Sequence, residues 1–236
     1  ETGHDQQIYR SFNIVALDYS SSVLENAREA MRASVLSLFG SEDWNALRGR
    51  GECDLVTVIP FAGDAAQRSV TQEICGPEDA ALMAENWITR IEGPDQSRKK
   101  MIWLSNGEKL SSTTHPSTSL VEASDVFERA REQGVIARHY NLAIISDELP
   151  ESDFEDADAA ARDLVEHYAT RISAITVPTT TYDPVSYTAI VPEDGKVAER
   201  TVFGVPAYVP SGTLREALSV KEMEEGLQMA FAHYGL

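Results

Sequence analysis

The sequence predicts an α/β fold: a doubly wound, mostly parallel sheet with one antiparallel edge hairpin and helices on both faces. Apolar runs of strand type alternate with segments whose apolar residues recur at helical spacing, as in parallel sheets with crossover helices. One pair of strand-like runs instead flanks a short Gly-Asp turn, which is typical of an antiparallel hairpin. With 236 residues and 42% hydrophobic residues, we expect a single domain over 1–236.

The opening strand ends in a polar motif. The apolar run from Phe12 leads into Asp18-Tyr-Ser20-Ser-Ser22, and a helix is predicted directly after it, over 23–39. One carboxylate and two hydroxyls in a strand-to-helix turn are oxygen ligands of the kind that Mg²⁺ binds. Because two of the three side chains are neutral, a cation held here would still attract a carboxylate from another molecule. Alternatively, Asp18 caps the helix and the serines fill a turn.

Two cysteines flank the predicted hairpin. Its strands lie at 54–61 and 66–74, and the midpoint of Cys53 and Cys75 is position 64, on the predicted turn. Residues opposed in an antiparallel ladder share one midpoint, so the two side chains are expected to face each other and form a disulfide. Two unrelated buried thiols are the alternative. A disulfide would indicate an oxidising compartment.

The remaining chain continues the α/β alternation and then departs from it. An acidic stretch from Asp147 to Asp158 precedes the next helix, and its part Asp153-Phe-Glu155-Asp156-Ala-Asp158 is interpreted as a solvated helix start, since it lacks the spacing of a calcium loop. Near the end we predict a β-hairpin insertion at 178–210 and a C-terminal helix at 211–234. The intervening elements are a helix at 80–91, a strand from 101, a polar loop at 111–119, a helix at 120–133, a strand at 135–145, a helix at 159–171 and a strand at 172–177.

Charge and motif content exclude several classes of function. A net charge of −18 repels phosphate groups, so nucleic-acid binding and docking to anionic membranes are not expected. No apolar run approaches the roughly 18 residues of a membrane span, so no membrane insertion by this chain is expected. The sequence also lacks the glycine signatures of nucleotide-binding loops and the Gly-x-Ser-x-Gly elbow of hydrolases. We therefore expect a protein that is not an enzyme.

The order of these motifs resembles a von Willebrand factor A (integrin I-like) domain over most of residues 9–177. The resemblance is carried by the strand and helix around Asp18-x-Ser20-x-Ser22, the hairpin with Phe61, Ile102-Trp-Leu-Ser-Asn106-Gly107, and the strand with Gly134-Val-Ile. It implies a three-layer sandwich with a metal-ion-dependent adhesion site for Mg²⁺, Mn²⁺ or Ca²⁺ at the carboxyl ends of the strands. Open α/β sheets generally bind ligands at such a position.

The resemblance also implies a ligand set drawn from three loops. Asp18, Ser20 and Ser22 would form the first loop. The third loop of the family usually reads Thr-Asp-Gly, and here Asn106 would take the acidic position with an uncharged amide oxygen. The second loop usually carries a threonine: either Glu78 replaces it as an oxygen ligand, or this loop is missing.

These expectations together predict a non-enzymatic adhesion or protein-binding module, extracellular or periplasmic and possibly part of a larger assembly. It would recognise an acidic side chain of a protein partner through the cation, and the insertion would influence partner choice. One alternative is a metal-free scaffold or assembly subunit with the same fold, suggested by Asn106 and the unclear second loop. Another is a hydrolase using a serine among Ser20 to Ser22, although no partnered histidine is evident.

Overall fold

The computed structural model describes residues 6–20, 22–23, 25–63, 65–66, 70–87, 114–177, 182–183, 185–190 and 214–232. The strands are β1 (Gln7–Asp18), β2 (Asp54–Ala62), β3 (Ala65–Ala66), β4 (Gln72–Ile74), β5 (Val135–Ser146), β6 (Arg171–Thr176) and β7 (Leu214–Glu216). The helices are α1 (Glu25–Gly40), α2 (Glu42–Ala46), α3 (Asp79–Trp87), α4 (Pro116–Glu132), α5 (Phe154–Tyr168) and α6 (Val220–Phe231), with a 3-10 turn at Glu151–Asp153. No helix among the described residues has the length and apolar character needed to cross a membrane.

The described strands form one sheet in the order β3-β2-β1-β5-β6-β7, with β4 also paired to β2. The pairs β2–β1, β1–β5, β5–β6 and β6–β7 are parallel, whereas β3 and β4 are antiparallel to β2. The predicted sheet, mostly parallel with an antiparallel edge, is therefore confirmed. The strand order reverses direction at the β1–β5 pair, and ligands of open α/β sheets bind beside the carboxyl ends of such a pair.

Helices cover both faces of the sheet, as predicted. Along β1, Val15 and Leu17 belong to the cluster formed with α1, α3 and α6, whereas Ile14 and Ala16 belong to the cluster formed with α4 and α5. Alternate side chains of a strand point to opposite faces, so both sets are buried only because both faces are covered. This explains why the central strands are continuous apolar runs.

The hairpin and its disulfide agree with the prediction. Cys53 and Cys75 are bonded, with Cα atoms 4.4 Å apart, directly beyond the pair of Asp54 and Ile74. The turn contains Gly63 at φ +49°, in the left-handed region that glycine tolerates best. Near this turn Phe61 pairs with Ala66, and farther from it Val56 pairs with Gln72. Between these two pairs the returning chain contains one residue more than β2.

Several predicted boundaries on the α4 and α5 side are corrected. Helix α4 begins at Pro116, inside the stretch predicted as a loop, because proline is favourable in the first helical turn. Helix α5 begins at Phe154 rather than at position 159, with Glu155 and Asp156 in its first turn, where acids suit the helix dipole. The N-terminus of α4 therefore lies two residues after Thr114.

The C-terminal region is helical only in part. Ser219 Oγ accepts a hydrogen bond from the Glu222 amide at 3.2 Å and caps α6, whereas Glu216, predicted as helical, lies in β7. Within the predicted insertion, Tyr182 pairs with Ala189, so this segment turns back on itself instead of forming one long strand. The rest of the predicted insertion hairpin, and the strand predicted from 101, lie outside the described residues.

Candidate metal site

The carboxyl ends of β1 and β5 bring polar residues from distant parts of the sequence together. Leu17 pairs with Ile145, so Asp18 ends its strand beside Ser146, and Asp147 follows directly. The turn after β1 carries Ser20 and Ser22. A third segment arrives just before α4, where the Thr114 hydroxyl contacts Ser20.

Asp18 is fully buried and held at both oxygens. Its Oδ1 accepts a hydrogen bond from the Ser20 amide at 2.8 Å, and its Oδ2 accepts one from Ser146 Oγ at 2.7 Å. The first bond is a local turn of the type that aspartate forms with the second residue after it. The second bond connects the two neighbouring strand ends. The carboxylate orientation is thus fixed by the fold.

Three hydroxyls form a chain beside this carboxylate. Ser20 Oγ lies 3.0 Å from Ser22 Oγ and 3.0 Å from Thr114 Oγ1. Ser20 and Thr114 are buried, whereas Ser22 is exposed. The hydroxyl chain therefore runs from the interior to the solvent, and the site is accessible from the Ser22 side.

Asp147 contributes a buried carboxylate without a donor. Among the described residues, neither its Oδ1 nor its Oδ2 has a hydrogen-bond donor, although the residue is only 4% exposed. The neighbouring carboxyl group of Asp18 can hydrogen-bond to it only when one of the two is protonated. Burial, and then the charge of Asp147, raise the pKa of Asp18 to about 8, against the lowering effect of its bonds to Ser20 and Ser146.

This donor set fits a divalent cation. Two buried carboxylates facing each other are costly as anions, and a cation between them would remove that cost. Carboxylate and hydroxyl oxygens are hard ligands of the kind that Mg²⁺ and related ions bind. The residues that the structure brings together are Asp18, Ser20, Ser22, Thr114 and Asp147.

Similarity to known proteins is confined to three-dimensional structure: no family model and no curated protein matches the sequence. A von Willebrand factor type A protein from Catenulispora acidiphila superposes with a TM-score of 0.57 at 10% identity, over 93% of this chain and 41% of that one. The N-terminal domain of TFIIH p34 superposes with a TM-score of 0.56 at 11% identity, over 94% of this chain and 98% of that one.

A third solved structure is proximal thread matrix protein 1 from the mussel byssus, with a zinc-occupied MIDAS motif. It superposes with a TM-score of 0.52 at 14% identity, over 95% of this chain and 48% of that one. The chain has the von Willebrand factor A fold. It spans less than half of the length of the Catenulispora and byssus proteins. At these identities the similarity concerns the fold alone.

Within this von Willebrand factor A fold, Glu78 does not reach the candidate site. Its carboxylate folds back toward Gly76 after β4, and β4 pairs with the start of β2. Phe61 pairs with Asp18 and lies seven residues after the start of β2. Seven residues span about 23 Å along a strand. The assignment of Glu78 as a metal ligand is thus corrected, and the hydroxyl that reaches Ser20 from a third segment is that of Thr114.

Asn106, the ligand predicted from the third loop, lies outside the described residues and stays a prediction. Among the described residues, the acidic group beside Asp18 is Asp147, which follows the strand adjacent to β1. The sequence Ser146-Asp147-Glu148 departs from the Thr-Asp-Gly pattern mainly at its last position. An apolar run that ends in Ser146-Asp147 is the sequence signal for this residue, to which the sequence analysis assigns no role. Asp147 and Asp153 are in fact buried.

Proposed function

We propose that this chain is a non-enzymatic protein-binding module that recognises a partner carboxylate through a divalent cation. The observation that carries the proposal is the pair of buried Asp147 oxygens beside the Asp18 carboxyl group, which have no hydrogen-bond donor within the described part of the chain. A protein rarely keeps such a pair for stability, because burying like charges together is unfavourable. A cation-binding role gives the pair a physical reason.

The chain's own residues divide the work at this site. Asp18 and Asp147 provide the negative charge, and Ser20, Ser22 and Thr114 provide neutral oxygens. Because only two ligands are charged, a bound Mg²⁺ or Mn²⁺ ion would remain electron-poor and attract a further carboxylate. Ca²⁺ usually takes six to eight oxygens and is less well served by this set. The zinc-occupied MIDAS motif of the byssus protein supports the proposal at the level of the fold.

The surface charge narrows the class of partner. At a net charge of −18, the module repels a uniformly acidic protein at long range. The exposed side of Ser22 is where an acidic side chain of a partner would enter. We therefore expect a single acidic side chain on a neutral or basic surface. The disulfide supports an extracellular or periplasmic location.

A metal-free scaffold or assembly subunit is the second candidate, and one observation favours it. A proton shared between Asp18 and Asp147 would also relieve their repulsion, since the pKa of Asp18 is raised to about 8. The fold would then be complete without metal. The hydrolase alternative gains no support, because Ser20 Oγ contacts two hydroxyls, neither of which can act as a general base.

The test is capture of partners from native extract on the immobilised chain, with Mg²⁺ or with EDTA. We expect capture that requires Mg²⁺ and is lost in Asp147→Asn. The control is Asp43→Asn, which removes an exposed carboxylate on α2. Capture that survives both EDTA and Asp147→Asn would favour the metal-free scaffold and contradict the proposal.

A further inference from the structure

A groove of about 1030 Å³ lies between helices α4 and α5, which cover the same face of the sheet. Helix α4 lines it from Ser117 to Glu128, a distance of about 16 Å along a helix. Helix α5 lines it from Asp156 to Asp163. Ser117 lies three residues after Thr114, so the groove begins beside the candidate metal site and extends away from it along the two helices.

Between the two helices the groove exposes small and apolar side chains. Val121 of α4 is 62% exposed, and Ala160 of α5 is half-buried in the same groove. Two hydroxyl groups of the lining donate within the chain. Thr118 Oγ1 donates to a backbone carbonyl of the hairpin turn at 2.7 Å, and Ser124 Oγ donates to Asp163 Oδ2 at 2.8 Å. Because these hydroxyl protons are already used, this strip favours apolar contact.

Carboxylates supply the charge of the groove. Five of them belong to its lining, from Glu122, Asp125, Glu128, Asp156 and Asp163. None of the lining residues that the structure describes is basic. Two side chains outside the lining pair with it: Arg129 Nε lies 3.1 Å from Asp125 Oδ2, and His167 Nδ1 lies 3.0 Å from Asp163 Oδ1. A groove with five carboxylates attracts a cationic partner and repels an acidic one.

Length, apolar exposure and charge together indicate the occupant. A helix of about 11 residues spans the length of the groove. Apolar side chains on one face of that helix would contact Val121 and Ala160. Lysine or arginine side chains at its flanks would reach the carboxylates, because their long stems extend past an apolar face. A second copy of this chain is a poor occupant, since each copy has a net charge of −18.

We propose that the groove between α4 and α5 is a docking surface for a basic amphipathic helix of a partner protein. The inference goes beyond the proposed function, because this contact requires no cation. The groove begins beside the candidate metal site, so one partner can occupy both surfaces at once. Binding should weaken as salt is added, since salt screens interactions between exposed charges.

The test uses a fluorescent peptide of lysine, leucine and alanine, in which leucines recur at helical spacing and lysines flank them. Binding to the whole chain is followed by fluorescence anisotropy in EDTA, so a failure of the proposed metal site does not affect the result. The control peptide has the same composition in scrambled order. We expect the ordered peptide to bind about tenfold more tightly, since only its leucines can reach the apolar strip together. Equal binding of the two peptides, or binding of neither, would overturn the proposal.

Two double variants separate docking in the groove from general attraction to an acidic protein. Glu128→Gln with Asp156→Asn removes two exposed carboxylates of the groove and should weaken binding about threefold to tenfold. The matched control is Glu42→Gln with Asp43→Asn, which removes two exposed carboxylates on α2 and should change the affinity less than about twofold. Losses of equal size, or no loss in the groove variant, would overturn the assignment of the site.

A second pair of variants tests the apolar strip. Val121→Ser should weaken binding of the ordered peptide about fivefold. Leu82→Ser removes a side chain that is 50% exposed on α3, over the other face of the sheet, and should leave the affinity unchanged. Amide chemical shifts should move within 117–128 and 156–163 on titration, and shifts confined to other segments would contradict the proposal. A wild-type dimer that becomes monomeric in Val121→Ser would overturn the choice of occupant.

Discussion

Two buried aspartates at opposite ends of the β1–β2 pair show how differently one fold can treat the same side chain. Asp54 pairs with Ser11 near the start of β1. Its carboxylate accepts hydrogen bonds from Arg10 Nε and Nη2, both at 2.8 Å, and from Arg48 Nε at 2.7 Å. Among the residues that the structure describes, Asp18, at the other end, has no such cation and faces Asp147 instead. The first carboxylate is compensated by these arginines. Within the described part of the chain, the second can be compensated only by a proton or by a bound ligand.

The largest expected effect concerns the compensated end. Asp54→Asn would leave Arg10 and the almost fully buried Arg48 without their anion, and should lower the free energy of unfolding by about 3–5 kcal/mol. Chemical denaturation in EDTA measures this change. A loss below about 1 kcal/mol would show that water compensates these arginines and that the contrast between the two ends is false.

The matching substitution at the other end should not lower the free energy of unfolding of the metal-free protein. Asp18→Asn removes one of two facing carboxyl charges, so the metal-free protein should be at least as stable as wild type at pH 8. The same variant should lose Mg²⁺ affinity by about 100-fold or more, since it lacks a charged ligand. Denaturation in EDTA and calorimetry with Mg²⁺ measure the two quantities. Strong destabilisation without metal would indicate that Asp18 is structural.

The dependence on pH should also separate the two ends. The pKa of Asp18 is about 8 in the folded protein and near 3.9 in an unfolded chain, so the folded state holds the extra proton between these values. The metal-free protein should therefore lose stability as pH rises from about 4 to about 8. Metal binding expels this proton, so Mg²⁺ affinity should rise about tenfold per pH unit below 8 and level off above it.

Calorimetry at pH 6, 7 and 8 checks this dependence, with Asp18→Asn as the control. The variant lacks the titrating group, and its residual affinity should depend only weakly on pH. A wild-type affinity that is constant from pH 6 to pH 8 would mean that no proton is held between the two carboxyl groups.

The features predicted correctly from sequence depend on local patterns. The first strand and its Asp18-x-Ser20-x-Ser22 turn lie in one continuous segment, so strand periodicity and turn chemistry were enough to predict them. The disulfide followed from the common midpoint of Cys53 and Cys75, because the pairing geometry of a hairpin is local.

The residues that were missed depend on long-range pairing. Asp147 joins Asp18 because β5 is the neighbour of β1, and the sequence alone favoured an earlier strand for that place. Thr114 lies in a polar stretch that is typical of a loop, and the signal for the helix after it is Pro116, which is favourable in a first helical turn. Glu78 was selected by its position in the sequence order, and the pairing of β4 with the start of β2 places it elsewhere.

The most direct test is anomalous diffraction from crystals grown or soaked with Mn²⁺. We expect one strong peak among the oxygens of Asp18, Ser20, Ser22, Thr114 and Asp147 in wild type, and no peak there in Asp147→Asn. A wild-type map without density at this position, under conditions in which Mn²⁺ is in excess, would contradict a cation site at the carboxyl ends of β1 and β5.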